Sequence, residues 1–244
     1  MTTYFISDLH LDESRPAIAR AFFTWLDSIA DDAEALYILG DFFEAWVGDD
    51  DDTPFNDNII EHLGNFSRPR RRLYIMHGNR DFLIGEDFAH RTAATLLADP
   101  TRINLYGKTV LLMHGDSLCT GDTDYMAFRR QVRQREWQAQ LLTKPVGERR
   151  ALAAQLRTRS QSVNSLKAAD IMDVTPTEVV REMETHGVQV LIHGHTHRPA
   201  RHMLWANGKQ AQRIVLGDWG AKGWCLAVSA EAGWELKSWD IGVE

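Results

Sequence analysis

Five times in this chain a short apolar run stops abruptly at an acid, an amide or an imidazole. Tyr4-Phe5-Ile6 leads into Ser7-Asp8-Leu9-His10, and Ala35–Leu39 into Gly40-Asp41. Leu73–Met76 leads into His77-Gly78-Asn79-Arg80-Asp81, and Thr109–Met113 into His114-Gly115-Asp116. Val188–Ile192 leads into His193-Gly194-His195-Thr196-His197. Apolar runs of this length, bounded by turn residues, read as buried strands. In open α/β sheets the rim at the strand ends is where ligands bind. Glycine beside four of the five polar ends lets the backbone turn sharply and a ligand approach closely. Asp8 and His10 are separated by one residue, which on a strand predicts that both face the same way.

A length of 244 residues with 44% hydrophobic side chains suits one large α/β domain, or a domain with an insertion. No stretch resembles a signal peptide or a spanning helix, and Phe22–Leu26 is far too short to cross a bilayer. Two cysteines, Cys119 and Cys225, make neither a disulfide framework nor a thiolate zinc site, so cytoplasm is the default compartment. The net charge of -7 argues against a nucleic-acid partner. It is unevenly spread, since Arg129 to Lys167 holds ten Lys/Arg and only two Asp/Glu. That surplus favours a polyanionic substrate or an anionic membrane surface.

Helices are predicted over Ala17–Ala30, with Phe22, Trp25, Leu26 and Ile29 as the apolar stripe, and near Asp57–Leu63. Asp49–Asp52 reads as a solvated acidic loop, and Arg70-Arg71-Arg72 as surface. From Thr123 to about Leu142, and from Glu148 to about Met172, the pattern is helical. Thr175-Pro176-Thr177-Glu178 has the form of a capping box opening a further helix that ends near His186-Gly187. Runs around Arg213–Leu216, Cys225–Val228 and Trp234–Leu236 predict antiparallel strands closing a second sheet. The expected division is a core of residues 1–120 and 174–244 with a helical lid at 121–173.

The strand ends together supply Asp8, His10, Asp41, Asn79, His114, His195 and His197. One divalent ion takes four to six ligands, so this set suits two ions about 3.5–4 Å apart with one carboxylate bridging. Mixed nitrogen and oxygen donors without thiolate favour Mn, Fe or Zn over Mg or Ca.

Asp8-x-His10, Gly40-Asp41, Gly78-Asn79, His114-Gly115 and Gly194-His195-x-His197, in that order, resemble the calcineurin-like metallophosphoesterases. The resemblance implies an α/β fold, a two-sheet β-sandwich flanked by helices, here with the helical lid inserted. It implies that Asp8, His10, Asp41 and His197 hold one metal and Asp41, Asn79, His114 and His195 the other, with a bridging hydroxide attacking phosphorus. Asp81 and Asp116 would orient histidines or Arg80. Many relatives carry His where this chain has Arg80, and that His acts on the leaving group. Arginine does not give up its proton. It can hold a phosphate bidentately and stabilise charge on phosphorus, so the site should prefer a leaving group stable without a proton, such as the phosphate of a pyrophosphate.

On the second lid helix Leu152, Leu156, Val163 and Leu166 share a face, bordered by Arg157, Ser160, Asn164 and Lys167. Asp122, Tyr125, Met126 and Phe128 lie just downstream of His114, within reach of the metals. Gly78-Asn79-Arg80-Asp81 and Ser160-x-x-x-Asn164-x-x-Lys167 resemble one branch of the family, which cleaves the pyrophosphate of a lipid-linked nucleotide sugar. That likeness implies Mn2+ as cofactor and a peripheral place on the cytoplasmic face of the inner membrane. It implies that Asp41, Asn79, Arg80, His114 and His195 carry catalysis. Asn79, Arg80, Asp122, Tyr125, Ser160, Asn164, Lys167 and His195 would contact substrate, with the apolar lid face taking acyl chains. The competing expectation is a cyclic-nucleotide or dinucleoside-polyphosphate hydrolase on the same core.

Overall fold

The computed structural model describes residues 1–67, 71–164 and 173–242, and the side chains of 159–164 fall outside that description. The N-terminal half alternates strand and helix: β1 (Thr2–Ile6), α1 (Pro16–Ser28), β2 (Ala33–Leu39), α2 (Pro54–Ser67), β3 (Arg72–Met76), α3 (Glu86–Thr92) and β4 (Ala94–Leu97). β1 to β4 pair in parallel, each neighbour with the next. β10 (Lys222–Ser229) joins β1 antiparallel and β11 (Gly233–Asp240) joins β10, giving six strands in the order β11-β10-β1-β2-β3-β4.

A second sheet of five has the order β5-β6-β7-β9-β8. Its strands are β5 (Thr101–Leu105), β6 (Lys108–Leu112), β7 (Val190–His193), β8 (Ala200–Ala206) and β9 (Lys209–Val215). The Arg213–Leu216 run therefore lies mostly on β9, parallel to β7, whereas Cys225–Val228 and Trp234–Leu236 extend the first sheet. Expecting all three to close one antiparallel sheet was incorrect. β9 forms a hairpin with β8, and that hairpin delivers it alongside β7 in the parallel sense.

Period-two alternation explains the layering. On β1, Phe5 faces the second sheet with Leu39, Met76, Leu112, Ile192 and Ile214. Tyr4 and Ile6 face α1 to α3, among Phe22, Trp25, Ile59 and Phe88. On the far side of the second sheet Leu111, Met113 and Leu191 pack on Val179 and Met183 of α7 (Pro176–Thr185). The result is helices, sheet, sheet, helix, with three separate apolar layers.

The expected first helix begins and ends within two residues of α1. The capping box at Thr175 does not form: its hydroxyl accepts a hydrogen bond from Thr120 Oγ1 at 2.8 Å and makes no cap bond to α7. Among the described residues three helices, α4 (Thr123–Val132), α5 (Arg135–Leu142) and α6 (Val146–Asn164), lie between the 3-10 turn at Asp116–Leu118 and α7. The single helix expected over Thr123–Leu142 is broken at Arg133, whose guanidinium donates to the Gly78 and His77 carbonyls at 2.9 and 3.3 Å. Arg149 of α6 is buried, donating to the Lys144 carbonyl at 2.9 Å, to the Val47 carbonyl and to the Asp50 carboxylate.

Asp49–Asp52 is accordingly only in part a solvated loop, with Asp50 and Asp52 exposed. Asp49 accepts from the Trp46 indole and from the amides of Gly85 and Phe88 at the start of α3, while Asp50 and Asp51 pair with Arg149 and Arg150. Arg71 was expected at the surface, yet it is half-buried and donates to the carbonyls of Phe66 and Ala30. Among the described residues no helix is long and apolar enough to cross a membrane.

Candidate metal centre

Asp8 and His10 follow β1, Asp41 follows β2, and Asn79 and Arg80 follow β3, all in the six-stranded sheet. His114 follows β6, and His195 and His197 follow β7, in the other sheet. The rim thus gathers side chains from both sheets. The reason given from sequence for Asp8 and His10 facing alike does not apply, because neither is on a strand. Both take left-handed backbone, φ 56° and 49°, as do Asp41, His195 and His197. That conformation costs a non-glycine residue on the order of 1 kcal/mol or more and persists where surrounding contacts over-determine it.

Those contacts are explicit. The buried Asp81 carboxylate accepts from the amides of Gly78 and Phe42 at 2.7 Å each and from Asp41 at 3.3 Å. It therefore orients backbone, where sequence reading expected it to orient a histidine or Arg80. Asp8 Oδ2 accepts from Ser7 Oγ at 2.5 Å and from the His195 amide at 2.8 Å, tying one sheet's loop to the other's. Two glycines are required by space. A Cβ on Gly78 would stand 2.1 Å from Asp41 Oδ1, and one on Gly194 2.3 Å from Asp8 Oδ2.

Among the described residues two groups bring ligand-type atoms within 4.8 Å of one another: Asp8, His10 and His197, and Asp41, His114 and His195. Asp41 stands between them. Its Oδ2 is 4.0 Å from His10 Nε2 and its Oδ1 is 3.7 Å from His114 Nε2. Asn79 Oδ1 is 3.1 Å from His114 Nε2. His114 Nδ1 donates to the Leu39 carbonyl at 2.9 Å, so Nε2 is the atom turned toward these oxygens.

Cations fit this arrangement on two observations. Asp8 Oδ1 is buried without a hydrogen-bond partner, 3.5 Å from His197 Nε2. His114 Nε2 faces an amide oxygen and a carboxylate oxygen at once, which a neutral ring nitrogen satisfies only through a proton or a metal ion.

The electrostatics follow from burial and crowding. Burial pushes His10 down to about 3 and His195 down to about 4, leaving both neutral and able to donate a lone pair. Burial also opposes charge on His114, but Asp41, Asp116 and Asp8 outweigh it and carry His114 up to about 9. Burial, reinforced by Asp81 and Asp8, raises Asp41 to about 7. For Asp8 burial is overcome by the imidazoles of His197, His114 and His10 close by, which hold it well below the usual carboxylate range.

The remaining expected residues divide. Arg80 donates its backbone amide to Asp41 Oδ1 at 2.8 Å, and its guanidinium lies 3.4 Å from Glu44. Tyr125 lies beside the centre, its ring 6.0 Å from that of His195 and its hydroxyl donating to Asp116 at 2.6 Å. Asp122 caps α4, accepting from the Tyr125 amide at 3.1 Å. The side chains of Ser160 and Asn164, and Lys167 altogether, lie outside the described residues.

Asp116 bonds Arg129 at 2.8 Å as well as Tyr125, so it anchors α4 and was wrongly expected to orient a histidine. Arg129, Arg149, Arg150 and Arg157 pair with core acids, which removes much of the free charge read from the lid sequence. Sequence reasoning passed over Glu44. Its signal was an acid inside the apolar run Phe42-Phe43-Glu44-Ala45-Trp46, and it is 6% exposed.

Comparison with known proteins gives the family and its relatives. Residues 1–199 match the family model described as calcineurin-like phosphoesterase. A UDP-2,3-diacylglucosamine hydrolase of Cellvibrio japonicus is 60% identical over 99% of this chain and all of its own length. Proteins of the same name from Marinobacter nauticus and Pseudomonas aeruginosa are 56% and 54% identical, each over 94% of this chain, covering 94% and 96% of their own. The solved structure of an archaeal phosphodiesterase, 14% identical, superposes with a TM-score of 0.50 over 98% of this chain and 99% of that one, a likeness of fold alone.

Proposed function

The chain belongs to the calcineurin-like phosphoesterase family, and we propose that it hydrolyses the pyrophosphate bond of UDP-2,3-diacylglucosamine, a step of lipid A biosynthesis, giving UMP and 2,3-diacylglucosamine 1-phosphate. It is a hydrolase with an α/β two-sheet core. The observation that carries the substrate is the 60% identity, over essentially both whole chains, to a curated UDP-2,3-diacylglucosamine hydrolase.

In this reading Asp8, His10, Asp41 and His197 hold one divalent ion and Asp41, Asn79, His114 and His195 a second, both Mn2+. When bound, the ions supply an activated water for attack on the α-phosphorus and Lewis acidity at its oxygens. The protein's own part is positional. Asp81 and Ser7 hold the ligand loops, and neutral His10 and His195 present lone pairs without first losing a proton. Arg80 stabilises negative charge at phosphorus and does not protonate the leaving group. None is needed, because the departing sugar 1-phosphate is already stable as an anion.

In this reading the helices α4 to α6 belong to a lid over the rim. Asn79, Arg80, Asp122, Tyr125, Ser160, Asn164, Lys167 and His195 contact the substrate, and the apolar lid face takes its acyl chains. The enzyme sits at the cytoplasmic face of the inner membrane. The two acyl chains support that location better than lid charge does, since Arg129, Arg149, Arg150 and Arg157 are paired internally.

The test is hydrolysis of UDP-2,3-diacylglucosamine in detergent with Mn2+, following phosphorus products, with Asp41→Ala as the blank. Release of UMP that needs both metal and Asp41 is expected. Absence of UMP release with turnover of simple phosphodiesters intact would overturn the lipid substrate and leave a nucleotide hydrolase.

A further inference from the structure

Glu44 is a buried carboxylate that four side chains from three segments approach. Arg157 Nε of α6 is 3.0 Å from its Oε1, and Arg80 Nη1 of the β3 loop is 3.4 Å from the same oxygen. Arg15, beside the start of α1, is 3.5 Å from Oε2, and His10 Nδ1 is 3.4 Å from Oε2. Three guanidinium groups converge on this buried carboxylate, and Asp12 also faces Arg157 and Arg15 while Asp41 faces Arg80. The cluster lies beside Asp41 and His10, where the proposed reaction brings two phosphates.

Arg80 shows which way the cluster is directed. One arm of its fork is ion-paired with Glu44 at 3.4 Å, its backbone amide is fixed on Asp41 Oδ1, and the buried Arg80 Nε and Glu44 Oε1 both have no hydrogen-bond partner. A rigid fork with one end tied and a donor left over is preorganised for a bidentate anion. Pairing with Glu44 narrows the rotamers open to Arg80 before any ligand arrives.

We propose that Glu44 is a positioning residue: it aims Arg80 at the phosphate under attack and, through Arg157, couples the seating of α6 to that aim. This rests on the hydrolase reading above. Glu44 touches neither substrate nor reacting atoms, and it acts through the arginines.

The experiment is a double-mutant cycle of Glu44→Gln and Arg80→Ala, assayed for kcat/KM at saturating Mn2+ on UDP-2,3-diacylglucosamine and on bis(p-nitrophenyl) phosphate. Wild-type turnover of the lipid decides the hydrolase reading by itself, and the cycle on either substrate decides the role of Glu44. Glu44→Gln is expected to lower kcat/KM about 30-fold in the wild-type background, and less than about threefold once Arg80 is alanine. A similar factor in both backgrounds would overturn the proposal, since a residue acting through general stability does not need Arg80. Wild-type activity in Glu44→Gln would overturn it equally. Should Glu44→Gln fail to fold, Glu44→Asp, which keeps the charge but withdraws it by one methylene, is read by the same two factors.

Discussion

His10 Nε2 and His197 Nε2 stand 3.3 Å apart, although 187 positions separate the two residues in the chain. Both rings approach Asp8 or Asp41, and Asp8 Oδ1 beside them lacks a hydrogen-bond partner. Two ring nitrogens and an unpartnered carboxylate oxygen brought that close make a ready set of donors for a cation.

Chelation should therefore abolish hydrolysis of UDP-2,3-diacylglucosamine, and added Mn2+ should restore it. The measurement is turnover after dialysis against EDTA, with residual metal determined by elemental analysis. Retention of more than about a tenth of the activity by metal-free protein would reject a metal-dependent reaction.

Mn2+ affinity should rise with pH. His114 is carried up to about 9, so at neutral pH it holds a proton that a metal ligand must release. Below that value each pH unit is expected to weaken binding at this group by about tenfold. Calorimetric titration at pH 6, 7 and 8, in buffers of different ionisation enthalpy, reads both the affinity and the released proton. Affinity that does not change across this range would show that His114 is not a ligand.

Gly78→Ala should cost both stability and activity. Its Cβ would meet Asp41 Oδ1 at 2.1 Å and the Asp41 amide nitrogen at 2.2 Å, and neither belongs to a freely movable side-chain end. A loss of about 1–3 kcal/mol in unfolding free energy is expected from the displacement. Activity should fall further than that loss of stability accounts for, because the displaced atom belongs to the central carboxylate. Denaturant melts together with kcat on the folded fraction separate the two effects, and a variant with full kcat would refute the steric argument.

Arg149→Ala should loosen α6 from the core. The side chain is 1% exposed and donates to two carbonyls and a carboxylate. Losing these donors should cost about 2 kcal/mol, lowering Tm by roughly 4–8 °C in a chain of this size. Differential scanning calorimetry measures the shift. An unchanged Tm would mean that the lid helices contribute nothing to global stability.

The centre was legible because its chemistry is concentrated at strand ends, where apolar run, glycine and polar residue follow one another. Asp41, Asn79 and His114 are found by that pattern without any knowledge of pairing. The geometry behind Asp8 and His10 was not legible, because a spacing of two reads as strand alternation while the backbone there is left-handed. Glu44 and Asp50 escaped because their partners lie far along the chain: Arg149 is 99 residues from Asp50, and no local pattern joins them. For the same reason the lid's positive charge looked free when its counter-charges were elsewhere. β4 escaped for a different cause, since an edge strand of four residues with mixed burial makes almost no periodic signal.

Each of the two donor groups draws on both sheets, Asp8 and His10 with His197, and Asp41 with His114 and His195. The centre therefore straddles the seam of the sandwich and behaves as a gauge of how the two halves are seated. A slide of one sheet over the other by a fraction of an ångström would leave every strand paired and every apolar layer buried, yet would change all the cross-seam ligand distances together. Packing residues such as Phe5 and Ile192, remote from any phosphate, thus bear on the chemistry as alignment pins, and damage to them would silence the enzyme well before it unfolded.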